Sequence, residues 1–261
     1  MKAFFTTLLA VVCMGVLLWG NIHWSKKTTV SGNDRVSPAV VVTEKAEEAA
    51  SPSDPLLAFT NNWPEQAAEN FKKAMDEKRT YKILLVGSEA LGDEQSGWAA
   101  STKEQLITAY GKEYMDVEIL TFNVNSLGFI EEEGPSKIAS TQADMILFEP
   151  FTLMDNGQVA IENSLDNIQQ MIDGTLEAKP DTVFVLMPPH PIYNAVYYPK
   201  QVEALKSYAE ENKIPYLDHW DAWPDYQTEE IKEYLTSDNS QPSEQGHEVW
   251  SKYVTDYLIS K

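Results

Sequence analysis

The chain has one cysteine, Cys13, in 261 residues. That excludes an intrachain disulfide and a cluster of thiolate metal ligands. Histidine is nearly as scarce, with four residues, and no two of them have the spacing of a helix-borne zinc site. A phosphate-cradling Gly-rich loop and a Gly-x-Ser-x-Gly nucleophile elbow are both missing. No metal and no cofactor is therefore expected. Basic residues are also few: 20 Lys and Arg against 40 Asp and Glu, a formal net charge of -20. Nucleic acid is excluded as a partner, because it would be repelled and counterion release requires a surplus of cations. What remains, 43% hydrophobic and 23% charged residues, is ordinary globular composition with material for one sizeable core. There is no internal repeat.

Formal charge is absent from one long stretch near the start. Lys2 is followed by 22 uncharged residues, Ala3 to Trp24, before Lys26 and Lys27. At ~1.5 Å per residue they give about 33 Å of helix, enough for a hydrocarbon core of ~30 Å. Trp19 and Trp24 fall where an interfacial aromatic belt belongs. No small-x-small cleavage site follows, so residues 1–27 read as an uncleaved signal anchor, with the body of the chain outside the cytoplasm. Cys13 follows Val12 rather than a small residue, and the apolar run continues past it, which argues against lipid attachment. Residues 28–55, rich in Ser, Thr, Pro, Ala and Glu, read as an extracytoplasmic stalk.

Residues 56–261 have a different pattern. Trp63-Pro64-Glu65 opens a helix to about Glu77, with proline where a first turn tolerates it. Short apolar runs at 82–86, 117–122, 145–148, 182–187 and 214–217 then alternate with amphipathic stretches near 99–112, 161–176, 200–212 and 244–260. Buried strands separated by helices predict a three-layer α/β/α sandwich around a five-stranded parallel sheet. In such sheets sites form at the carboxyl ends of the strands, after Val86, Phe122, Phe148 and Met187.

The residues at those ends carry a resemblance. Gly87-Ser88-Glu89-Ala90-Leu91-Gly92, Asn123 to Gly128, Phe148 to Gly157, Met187-Pro188-Pro189 with Tyr193, and Asp238 to His247 follow one another in order. Together they resemble the conserved blocks of the SGNH (GDSL-type) hydrolases over about Lys82 to Leu258. The resemblance implies Ser88 as nucleophile, with Gly87 standing where the family has Asp. It implies backbone oxyanion donors at Ser88 and Gly128, and Asp238 as orienting acid. Two positions depart from it. Met154 stands at the family's Asn, which gives the third oxyanion donor, and Gln241 stands at the family's His, the base. An amide does not accept a proton near neutral pH. Loss of a triad base costs about 10⁶ in turnover, and one oxyanion donor ~10²–10³.

Three residues are candidates to replace what is missing: His190 and His247 as base, and Asn156 as donor. His219, Glu149 and Glu89 read as structural or solvent-facing. The resemblance implies esterase or O-acetyl-ester hydrolase activity on an acylated cell-surface polysaccharide, weakened or lost by the two departures. A non-catalytic glycan-binding or envelope-assembly role on the same fold stays open beside it.

Overall fold

A computed structural model describes residues 54–260. The anchor assigned to residues 1–27, and all but the end of the stalk at 28–55, lie outside the described residues. Among the described residues no helix is long and apolar enough to cross a membrane.

The elements run α1 (Asp54–Ala58), α2 (Glu65–Asp76), β1 (Tyr81–Ser88), α3 (Trp98–Tyr110), β2 (Met115–Phe122), α4 (Ser126–Glu131), α5 (Gly134–Ser140) and β3 (Met145–Phe148). They continue α6 (Thr152–Asp155), α7 (Ile161–Ala178), β4 (Val183–Leu186), α8 (Tyr198–Glu211) and α9 (Glu244–Leu258). The strands are all parallel, in the order β2-β1-β3-β4. Alternation along the strands sends side chains to two cores. Ile83, Leu85, Leu147 and Val185 meet Phe71 of α2, Leu106 of α3 and Trp250 and Val254 of α9. Leu84, Val86, Ile146 and Phe184 meet Phe129 of α4, Ile168 and Met171 of α7 and Leu205 of α8. A sheet covered on both faces is the expected three-layer sandwich.

The sheet has four strands where five are expected. The segment 214–217 reaches β4 by a single parallel bridge, in which Leu186 N–H donates to Pro215 O at 2.8 Å and Leu217 N–H to Leu186 O at 2.7 Å. The next rungs would need the N–H of Pro215 on one side and of Pro188 on the other. Neither proline has one, so the ladder stops in both directions.

From β1 the chain moves outward to β2 and then returns to the other side of β1 as β3. The order reverses between β1 and β3, and that switch point is where a crevice opens at the carboxyl ends. Register pairs Val86 with Phe148 and Ser88 with Phe122. Ser88 and Glu149 are thereby brought together at the crevice.

The loops on this edge are tied by an aromatic stack. Trp250 of α9 lies parallel to His219, with ring centroids 4.2 Å apart, and parallel to Trp98 at 4.8 Å. His219 is fully satisfied: its Nε2 is 2.8 Å from Pro188 O and Trp223 Nε1–H donates to its Nδ1 at 2.9 Å. Burial holds its pKa down to about 3, so a neutral ring stacks on the indole. Removing the central indole leaves a large void that three loops cannot fill. Trp250→Ala is expected to cost ~3–5 kcal/mol in denaturant unfolding, whereas Leu127→Ser, at a half-exposed position, stays within ~0.5 kcal/mol.

Candidate active site

β1 is buried from Ile83 to Gly87 and ends on the half-buried Ser88, which opens a single 3-10 turn (Glu89–Leu91). Ser88 Oγ accepts from Ala90 N–H at 3.3 Å, the bond of a helix cap. Its main partner, however, is Glu149, the residue following β3. Ser88 N–H donates to Glu149 Oε2 at 2.7 Å, and Ser88 Oγ–H donates to the same oxygen at 2.9 Å, with Oε1 at 3.2 Å. Glu149 is completely buried, and its own N–H is fixed on Val86 O at 2.8 Å. Desolvation pushes its pKa up to about 8, against the opposing pull of the two Ser88 bonds.

Gly87 makes this arrangement possible. A Cβ there would lie 2.4 Å from Glu149 Oε2 and 2.7 Å from Glu149 Cβ, so any side chain at 87 would expel the carboxylate. Of the two sequence readings of Glu149, structural or solvent-facing, burial overturns the second, and the residue is in direct contact with the serine. Glu89, by contrast, is exposed on the rim.

Ser88, Glu149, Phe122, Asn123, Met154, His190 and Gln241 line one enclosed cavity of about 30 Å³. That is room for one or two waters. The structure thus gathers Ser88, Met154 and Gln241, the positions taken from three separate blocks. His190 joins them, nearly fully buried, with Nε2 3.2 Å from Ser240 O and Nδ1 without a partner among the described residues. Burial, the larger effect, pulls its pKa down to about 4 although the Ser240 carbonyl favours the proton.

Other residues expected at the site stand apart from this cavity. Gly128 lies in α4, and its N–H donates to the cap oxygen Asn125 Oδ1 at 2.9 Å, so that N–H is committed. Asp238 is exposed and faces its own turn. Its Oδ1 accepts from Thr236 Oγ1 at 2.6 Å and from Ser240 N–H and Oγ, bonds that lower its pKa and leave no histidine for it to orient. His247 sits in the first turn of α9 and accepts Trp98 N–H on Nδ1 at 3.2 Å. Asn156 ends α6 and lines a separate recess with Tyr197 and Gln201. Asp155, passed over in the sequence, is a buried tie: it accepts Ser126 N–H at 2.7 Å and the Ser164 hydroxyl, joining α4, α6 and α7. Among the described residues no three His, Cys, Asp or Glu side chains converge as a metal site.

No protein-family signature and no curated protein matches this chain. Solved structures do match. One is a Parabacteroides merdae protein described as a GDSL-like lipase, with 14% identity, TM-score 0.58, and coverage of 69% of this chain and 96% of that one. The acetylxylan esterase Axe2 of Geobacillus stearothermophilus gives 16% identity and TM-score 0.52 over 68% and 94%. A carbohydrate esterase family 3 protein of Talaromyces cellulolyticus gives 12% and 0.55 over 69% and 96%. The chain has the SGNH hydrolase fold.

The buried groups set a pH window for stability. Glu149, raised from 4.5 to about 8, favours the folded state at low pH, and that contribution is lost as pH rises from about 4.5 to about 8. His190 and His219, lowered from 6.5 to about 4 and about 3, act oppositely and destabilise as pH falls below about 6.5. The two histidines outweigh the one glutamate below about pH 6.5, so thermal unfolding midpoints are expected to peak near pH 6.5. Glu149→Gln should flatten the decline between about pH 6.5 and 8, and an unchanged decline would refute the perturbed carboxylate.

Proposed function

We propose that this chain is a slow acyl-ester hydrolase held at the outer face of a cell membrane, with Ser88 as nucleophile. The observation that carries this reading is Ser88 itself: a half-buried hydroxyl at the switch point of an SGNH-fold sheet, hydrogen-bonded to a carboxylate inside an enclosed cavity. Slowness follows from the rest of the cavity. Met154 and Gln241 stand where the resembled family has its Asn donor and His base, and Asp238 orients no imidazole. Asn123 and Gln241 line the same cavity, and their side chains carry amide donors that can serve a developing oxyanion. The similar structures named as acetylxylan and carbohydrate esterases support an acylated polysaccharide of the cell surface as substrate. The uncharged run Ala3–Trp24 supports the membrane tether.

A second reading, a glycan-binding or envelope-assembly domain without turnover, is favoured by one specific observation. Both backbone N–H groups assigned to the oxyanion are occupied, Ser88 by Glu149 and Gly128 by Asn125.

One measurement separates these two readings, and a second tests the tether. With p-nitrophenyl acetate the full-length protein should turn over slowly but above background, and Ser88→Ala should remove the difference. Equal rates for the two would leave only the binding role. In cells, the protein should remain with membranes through carbonate washing, and external protease should digest its C-terminal domain. Release by carbonate, or protection of that domain in intact cells, would remove the tether from the proposal.

A further inference from the structure

Ser88 has a hydrogen-bonded proton acceptor, and it is not a histidine. Of the titratable groups lining its cavity, Glu149 alone is bonded to Ser88 Oγ, at 2.9 Å to Oε2 and 3.2 Å to Oε1. A nucleophile and base within ~2.6–3.2 Å is the geometry proton transfer requires. The carboxylate is locked in place: Glu149 N–H is held on Val86 O, the side chain fills the space left by the missing Cβ of Gly87, and the residue is fully buried. We infer that Glu149 is the general base of this site, taking the proton of Ser88 in the part a histidine plays in the resembled family. The inference rests on the hydrolase reading above and names its missing base.

The chemistry balances with water as the only co-reactant. Ser88 Oγ bonds to the ester carbonyl carbon as its proton passes to Glu149 Oε2. The carbon–oxygen bond to the leaving alcohol breaks, and Glu149 returns the proton to that oxygen. Water then attacks the acyl-serine, gives one proton to Glu149, and Ser88 departs with that proton, leaving carboxylic acid and alcohol.

His190 is the competing base in the cavity, and two facts rank it below Glu149. It makes no hydrogen bond to Ser88, its Nε2 being on Ser240 O. Burial also inverts the ordinary basicities: the Glu149 carboxyl is pushed up to about 8 and the His190 imidazole down to about 4, so once ionised the carboxylate is the stronger base. The other titratable groups facing Glu149 are few. Glu89 is on the exposed rim of the cavity. Tyr198 of α8 stays protonated, donating its hydroxyl to Pro189 O at 3.0 Å and His190 O at 3.1 Å.

The test is kcat/KM for p-nitrophenyl acetate from pH 5 to 10, with the full-length wild type, Ser88→Ala, Glu149→Gln and His190→Ala. Expected is a wild-type rate that depends on Ser88 and rises through a single ionisation near pH 8. Glu149→Gln should lower it by ~10²-fold or more and abolish the inflection, while His190→Ala, whatever its effect on the rate, keeps the inflection near pH 8. A Ser88-dependent rate that Glu149→Gln leaves within threefold, or whose inflection is lost in His190→Ala and kept in Glu149→Gln, overturns the assignment but keeps the hydrolase. The wild-type profile decides even if Glu149→Gln fails to fold, because an inflection near pH 4 to 5, or none, overturns it too. Wild type indistinguishable from Ser88→Ala at every pH overturns the hydrolase reading and the base with it.

Discussion

A completely buried carboxylate, Glu149, sits under the end of β1 and meets the last two residues of that strand. Burying such a group is costly unless hydrogen bonds receive it. Here the same serine gives it both a backbone and a hydroxyl donor, and desolvation still outweighs them in its pKa. The local sequence answers to this one placement. Gly87 must lack a Cβ, Ser88 must offer a hydroxyl, and the parallel register of β1 with β3 must hold to the residue, since a slip of one position turns Glu149 to the opposite face.

The surrounding loops are arranged so that the other titratable groups stay silent. His219 is neutral, fully bonded and stacked on Trp250; His190 is neutral and anchored to Ser240 O, its own carbonyl held by Tyr198. Asp238 spends its bonds on Thr236 and Ser240 within its own turn. The turn is closed again by Thr236 N–H on Gln241 O at 2.8 Å. The charge change at this edge is thus concentrated on one acid.

Strands and helices were legible in the sequence because apolar runs of four to eight residues and helical periodicity report burial directly. The fifth strand was not, since a run such as Ile214–Leu217 shows hydrophobicity but not whether its partner can bond. The answer lay in two prolines, Pro188 and Pro215, on different segments. The meeting of Ser88, Met154 and Gln241 in one cavity followed from the order of the blocks on a parallel sheet. Gly128 misled because a glycine N–H is free only if no cap claims it, and Asn125, three residues earlier, was the readable sign of that cap. Glu149 was hidden for a related reason. An acid at the end of an apolar strand is usually a solvent-facing stop, and only pairing β1 with β3 turns Gly87 into the space reserved for it.

That pairing also explains why Gly87 and Glu149 belong together. An acid at 87, as the resembled family has, would begin with a Cβ inside the volume of the Glu149 carboxylate. Two carboxylates at such a distance cannot both ionise, and burial makes even the neutral pair sterically impossible without moving a strand. The site therefore admits one acid beside the serine, from the serine's own strand or from its neighbour. From β3 the acid arrives beneath the hydroxyl rather than beside it in sequence, buried rather than facing solvent. That approach gives it direct contact with Oγ and the high pKa that a proton acceptor needs, and it occupies the Ser88 N–H in doing so. In the proposed hydrolase, the placement that supplies a base also occupies an oxyanion donor, and slow turnover follows from that geometry.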